Sequence, residues 1–198
     1  MKRAYMVGIA GESAGGKSTL AAALEKGLQD YKVRVFHLDE YFKEADERPV
    51  IKGFLDGKAY RDDNHPDTLE WSRFHADLEE AAGEAWDVIL VEGLFALWDE
   101  KLAPMLDLKV YVDCDSDERL ARRVRRNLTY GQELDEIMER YVQAVQPRQR
   151  EYVAPTKWKA DIIVNGFRPM EGETARADIL LCWIRRGIHL FSREKQIS

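Results

Sequence analysis

Cysteine is scarce. There are two in 198 residues, Cys114 and Cys182, with no CxxC pair and no spacing that suits a metal ion. That excludes a disulfide scaffold and a structural zinc site, and it fits a reducing cytoplasm. Long apolar runs are also missing. No stretch approaches the roughly 18 residues that a bilayer-spanning helix needs, so no membrane is expected as a partner. The short apolar run in residues 1–10 leads straight into glycines and reads as a strand, not as a signal peptide. Excess positive charge is absent: 36 acidic residues against 30 basic ones give a net charge of −6. Non-specific nucleic-acid binding is therefore not expected. There is no internal repeat and no low-complexity segment.

What remains is ordinary for a globular chain, with 45% hydrophobic and 33% charged residues. The length suits one α/β domain over residues 1–198. Composition leaves the oligomeric state open, a homo-oligomer included.

Periodicity then divides the chain. Residues 5–10 (YMVGIA) form a buried strand, and 11–16 a loop. Leu20, Ala21, Leu24 and Leu28 mark a helix over about 17–30. Residues 33–38 are a second strand. About twenty residues, 43–65, carry charges, Pro49, Gly53 and Gly57 without periodicity, so they read as a long functional or mobile loop. Pro66 and Asp67 open a helix, with Asp67 and Glu70 spaced as a capping box. Residues 87–91 (DVILV) and 108–112 (LKVYV) are further strands. An Arg-rich helix starts at Asp115 and breaks at Gly131. Another covers about 134–152 with a kink at Pro147. A short strand at 162–164 and a helix over about 173–186 close the chain. Strands alternating with helices predict a parallel sheet covered on both faces. In such sheets, ligands bind beyond the carboxyl ends of the strands.

Gly11-Glu12-Ser13-Ala14-Gly15-Gly16-Lys17-Ser18 fits GxxxxGK[ST], the phosphate-binding P-loop, with a strand before it and a helix after it. Its glycines let successive N–H groups converge on one concavity, and the helix adds a positive N-terminus. Lys17 is expected on the β- and γ-phosphates of ATP and Ser18 on Mg²⁺. Gly11, Ser13, Ala14, Gly15, Gly16, Lys17, Ser18 and Thr19 are the candidate nucleotide contacts.

Two acids stand at strand ends, Asp39 after the second strand and Glu92 after the third. Phosphoryl transfer needs an acid near the metal and a base near the accepting hydroxyl. Either acid taken alone also fits a surface turn or a helix cap. Arg119, Arg122, Arg123 and Arg126 fall at i, i+3, i+4 and i+7 and share one helix face. Phosphate oxygens would satisfy them; neighbouring acids such as Glu118 are the other reading. His37, His75 and His189 have no partner suggested by spacing and read as structural. Trp71, Trp86, Trp98 and Trp183 read as core or interface residues, and Cys114 as buried and inert.

The segments HLDEYFK (37–43), NHPD (64–67), VEGLFAL (91–97), VDCDSDERLARRVRRN (112–127) and APTKWKADIIV (154–164), in this order after the P-loop, resemble the uridine kinase and phosphoribulokinase family of P-loop kinases. The resemblance covers most of the chain. It implies a three-layer α/β/α fold with a five-stranded parallel sheet and a small Arg-containing lid at about 123–135. It also implies Asp39 as the base that orients the acceptor hydroxyl, and Glu92 with Ser18 around Mg²⁺. Arg123 would meet the acceptor's sugar, and Arg126 would close over the ATP phosphates. In the NHPD segment, Asn64, His65 and Asp67 would face the acceptor, although a turn role suits His65 equally.

Three departures bear on the acceptor. The hairpin that uridine-phosphorylating members carry before the third strand has no counterpart, because only one helix's worth of chain lies between NHPD and DVILVEG. The ribose-binding acid before the HP pair is Asn64, with neighbouring Asp62, Asp63 or Asp67 as candidate substitutes. The lid's Arg-Gly-Arg is Tyr130-Gly131-Gln132. Phe54, Tyr60 and Arg61 in the segment 43–65 are candidate replacement contacts. The expected activity is transfer of the γ-phosphoryl group of Mg-ATP to a hydroxyl of a nucleoside or related ribosyl compound. A nicotinamide riboside or pantothenate-type kinase and a degenerate, regulatory nucleotide-binding protein are the alternatives. A nucleotide switch is disfavoured by the absence of an NKxD signature.

Overall fold

β1 (Tyr5–Ala10) carries no charge, and all six of its residues are buried. Such a strand must be covered on both faces, as a central parallel strand is. The computed structural model describes residues 3–166 and 174–194 and places it in that position. Four parallel strands flank it: β2 (Val33–His37), β5 (Val88–Glu92), β6 (Leu108–Asp113) and β7 (Ile162–Asn165). The sheet order is β2-β5-β1-β6-β7.

The period-2 alternation of the strands divides the core. Tyr5, Val7 and Ile9 join Val88 and Leu90 on one face, under α1 (Lys17–Gly27) and α6 (Thr174–Glu194). Met6 and Ala10 join Ile89 and Val91 on the other, with Phe74 and Leu78 of α2 (Trp71–Gly83). The result is the expected three-layer α/β/α sandwich. The strand ends come together, with Ile9 and His37 both in register with Glu92. That register gathers the P-loop, the end of β2 and the end of β5 at one edge.

The segment read as a loop contains an antiparallel hairpin, β3 (Val50–Lys52) and β4 (Ala59–Arg61). Its strands are too short to show a period in sequence. It leans on the chain after α4 (Leu134–Arg140), with the Phe54 and Leu55 N–H groups donating to the Gln143 carbonyl and side-chain oxygens. Between residues 68 and 86 there is only α2, in line with the missing second hairpin.

The expected capping box at Asp67 and Glu70 does not form. Pro66–Thr68 is a single 3₁₀ turn capped by His65, whose Nδ1 accepts the Asp67 N–H at 3.1 Å. The chain then extends through Leu69, which bridges Phe42, and α2 starts only at Trp71. Tertiary pairing there overrides the local helix signal.

α3 (Ser116–Thr129) ends before Gly131, whose φ of 79° is the left-handed conformation that glycine adopts freely. α4 continues through π-helical turns at Tyr141–Val145 and Gln149–Val153, on either side of α5 (Gln146–Arg148). Pro147 lies between these wide turns, which take up the lost N–H and the ring's bulk in place of a sharp kink. The final helix runs further than expected, to Glu194; its expected start at 173 lies outside the described residues. No helix among the described residues is long and apolar enough to cross a membrane.

Candidate active site

The loop between β1 and α1 wraps against the end of β6. A Cβ at Gly11 would lie 2.5 Å from the Val112 carbonyl oxygen, and Gly11 has φ 147°. Gly16 caps α1 with φ 104°, and Ala14 adopts φ 62°. These left-handed turns aim the N-terminal N–H groups of α1 inward, which builds an anion cradle. Lys17 Nζ donates to the Glu12 carbonyl at 3.2 Å. Burial pushes the Lys17 pKa down, while Glu92 and Asp39 pull it up. The Glu12 carboxylate pairs with Arg119 at 3.0 Å, and burial raises its pKa against that pull.

Glu92 is buried at the end of β5. Its Oε1 accepts from Ser18 Oγ at 3.0 Å and from His37 Nδ1 at 2.8 Å. The parallel register of β2 on β5 puts His37 beside Glu92. His37, read as structural because spacing suggested no partner, thus has one in Glu92. The signal available in sequence was its place at the carboxyl end of a strand, two residues before Asp39.

Asp39 lies in the 3₁₀ turn Leu38–Tyr41 that follows β2. It lines a cavity of about 560 Å³ together with Ser13, Ala14, Gly16, Lys17, Ser18, Thr19, Phe42, Asp63, Asn64, Glu92, Leu94, Arg122, Arg123 and Arg126. Asp39 opens onto this cavity, yet the protein around it desolvates the carboxylate and raises its pKa. Lys17 opposes the rise and Glu92 adds to it.

The arginine face of α3 divides in two. Arg119 is buried and pairs with Glu12, while Arg122 pairs with Glu118 at 2.8 Å and reaches the Ala14 and Gly15 carbonyls. Among the described residues, neither Arg123 nor Arg126 is in a salt bridge. Arg123 Nη1 donates to Ser13 Oγ at 3.4 Å, and its buried Nε has no hydrogen-bond partner. Burial, with Arg126 and Arg140 nearby, pushes the Arg123 pKa down to about 10. Two cations without carboxylate partners among the described residues thus face the cavity, an arrangement that suits an anion.

On the opposite wall, Asn64 and Asp63 line the cavity, while Tyr60, Arg61, His65 and Asp67 do not. The Tyr60 hydroxyl shares its one proton between Asp56 at 2.7 Å and Glu139 at 3.1 Å, tying the hairpin to α4. Arg61 is drawn to Asp63. His65 caps its turn and packs edge-on against Tyr152, and Asp67 projects outward, with a side chain 71% exposed. Phe54 is also exposed and away from the cavity.

The donor set fits a hard cation. Ser18 Oγ and Glu92 present oxygens beside the phosphate cradle. No group of three or more His, Cys, Asp or Glu among the described residues would hold a metal alone. An arrangement that shares the ion with phosphate oxygens and water is the Mg²⁺ pattern.

This combination of parallel sheet, phosphate loop and acid-lined cavity defines a P-loop phosphotransferase. The model of the Phosphoribulokinase / Uridine kinase family matches residues 56–171. A uridine kinase from Limosilactobacillus reuteri is 31% identical over 205 residues, covering 93% of this chain and 92% of that protein. Uridine-cytidine kinase B from Dictyostelium discoideum is 30% identical over 187 residues, covering 82% and 75%. In structure, phosphoribulokinase from Rhodobacter spheroides superposes with a TM-score of 0.59 at 13% identity, over 83% of this chain and 71% of that one, a likeness of fold. The chain belongs to the phosphoribulokinase and uridine kinase family, and it is a phosphotransferase with a hydroxyl group as acceptor.

Proposed function

We propose that this enzyme transfers the γ-phosphoryl group of Mg-ATP to a hydroxyl of a nucleoside or related ribosyl compound. The observation that carries this reading is the convergence of Asp39, Lys17, the Ser18–Glu92 pair and the unpaired Arg123 and Arg126 on one cavity. The similarity to uridine and uridine-cytidine kinases supports a nucleoside as the acceptor.

In this reading Asp39 accepts the proton of the acceptor hydroxyl. The hydroxyl oxygen forms a bond to the γ-phosphorus, the bond from that phosphorus to the β–γ bridging oxygen breaks, and ADP leaves. Lys17 and Arg126 stabilise the charge that gathers on the phosphoryl oxygens. Mg²⁺, held by Ser18 and Glu92 when bound, neutralises phosphate charge and orients the γ-phosphoryl group. His37 holds the Glu92 carboxylate in place through its bond to Oε1. Asn64 and Arg123 face the acceptor, and residues 123–135 act as a lid that excludes water. The reaction runs in the cytoplasm, a placement supported by the scarcity of cysteine, two in 198 residues with no CxxC pair.

Mass spectrometry of products tests the reading. The protein is incubated with Mg-ATP and a panel of nucleosides, nicotinamide riboside, pantothenate and sugar phosphates. A phosphorylated organic product formed in step with ADP is expected. ADP formed only with inorganic phosphate would make water the acceptor and overturn the proposal.

A further inference from the structure

The acceptor wall is oriented by a buried relay that starts at the phosphate loop. Arg119, paired with Glu12, donates from Nη1 to Gln149 Oε1 at 3.0 Å. A guanidinium has donors only, so this bond fixes the Gln149 amide with its oxygen toward Arg119. Gln149 Nε2 must then point the other way, and it donates to Asn64 Oδ1 at 3.3 Å. The acceptor atom of Asn64 is thereby engaged, and its Nδ2 donors are the atoms left for the cavity that Asn64 lines. Arg119, Gln149 and Asn64 are 7%, 1% and 7% exposed, so water does not compete for these bonds.

The neighbouring acid is largely claimed by arginines. Asp63 Oδ1 takes both Arg48 Nη1 and Arg61 Nε at 3.0 Å, and its Oδ2 takes Arg140. Asp62 is fully buried against Arg148. Arg123 lines the same cavity and is in no salt bridge among the described residues, so it joins Asn64 Nδ2 as a second donor group and carries a positive charge. A neutral diol meets these donors only through its oxygen lone pairs, whereas an anionic group is matched by both the donors and the charge.

We infer that the acceptor carries an anionic group, a carboxylate or a phosphate, which docks against Asn64 Nδ2 and Arg123 while a separate hydroxyl faces Asp39. This deepens the kinase reading and rests on it. Gln149 acts as a positioning residue: it never touches the acceptor but sets which face of Asn64 does.

The test uses matched acceptors: a nucleoside with and without a carboxylate on its base, and a pentose with and without a phosphate ester. The expected result is a kcat/KM about tenfold to a hundredfold higher for the anionic member of one pair, the scale of a charged hydrogen bond. The pair that shows it distinguishes carboxylate from phosphate. Gln149→Glu keeps one oxygen for Arg119 and offers a second to Asn64. That turns the Asn64 amide over, presents its oxygen to the cavity, and is expected to cut the anionic preference at least tenfold. Asn64→Asp is expected to do the same directly. Thermal melting confirms that each variant folds, and the wild-type ratio decides by itself if a variant does not. Equal turnover within both pairs, or an unchanged ratio in folded Gln149→Glu, overturns this inference and leaves the kinase intact. No phosphorylated product from any of these compounds overturns both.

Discussion

At the end of β2 one carboxylate faces the cavity under opposed influences. Desolvation raises the Asp39 pKa, Lys17 lowers it and Glu92 raises it again, with a net upward shift. A base acts only when deprotonated, so turnover falls as pH drops through that raised pKa. The acid limb of kcat/KM is therefore expected above the ordinary carboxylate value of about 3.9. A pH–rate profile checks this, and Asp39→Asn should remove the limb. His37 supports the neighbouring Glu92 through its bond to Oε1. Loss of such a supporting bond typically weakens a metal site about tenfold or more. His37→Ala is accordingly expected to raise the Mg²⁺ concentration for half-maximal ADP release by about that factor, while KM for the acceptor stays near wild type. An unchanged Mg²⁺ requirement would make His37 a packing residue after all.

Among the elements, the β1–α1 loop depends on backbone shape more than on side chains. An added methyl at Gly11 would press on the Val112 carbonyl, which belongs to a central strand and has no room to give. Gly11→Ala is expected to abolish measurable ATP binding in calorimetry with the sheet still folded. ATP affinity close to wild type would contradict the cradle described here. This loop was fully legible in the sequence, because phosphate binding uses contiguous glycines, a lysine and a serine. The strand-end acids were legible too, since parallel strands of similar length finish in one row. The hairpin Val50–Arg61 was not, because three-residue strands carry no period and their tie to Gln143 spans almost ninety positions. Tyr60 and Arg61 lie outside the cavity lining for a similar reason: folding brings Glu139 and Asp63 to those side chains. The relay from Glu12 through Arg119 and Gln149 to Asn64 joins four separate segments and leaves no local trace.

For the whole molecule, the two core layers hold the strand ends in register and so hold the site together. Phe74 is fully buried and meets Phe36, Tyr41 and Trp71 edge-on between α2 and the sheet. Phe74→Ala is expected to cost about 3–5 kcal/mol, read as a lowered denaturant midpoint. A cost under about 1 kcal/mol would mean that α2 is not needed to support β2 and Asp39. The layer architecture could be read from alternating strands and helices alone, whereas the acceptor wall depends on which distant side chains meet. The central claim is that one cavity brings a hydroxyl acceptor, Asp39 and the γ-phosphoryl group together. Acceptor-stimulated ADP release from Mg-ATP, measured for wild type and Asp39→Asn, tests it most directly. The account predicts that one acceptor raises wild-type turnover far above the water background and that Asp39→Asn loses about 10²–10⁴-fold of that gain. Equal stimulation in both proteins, or none in either, would contradict it.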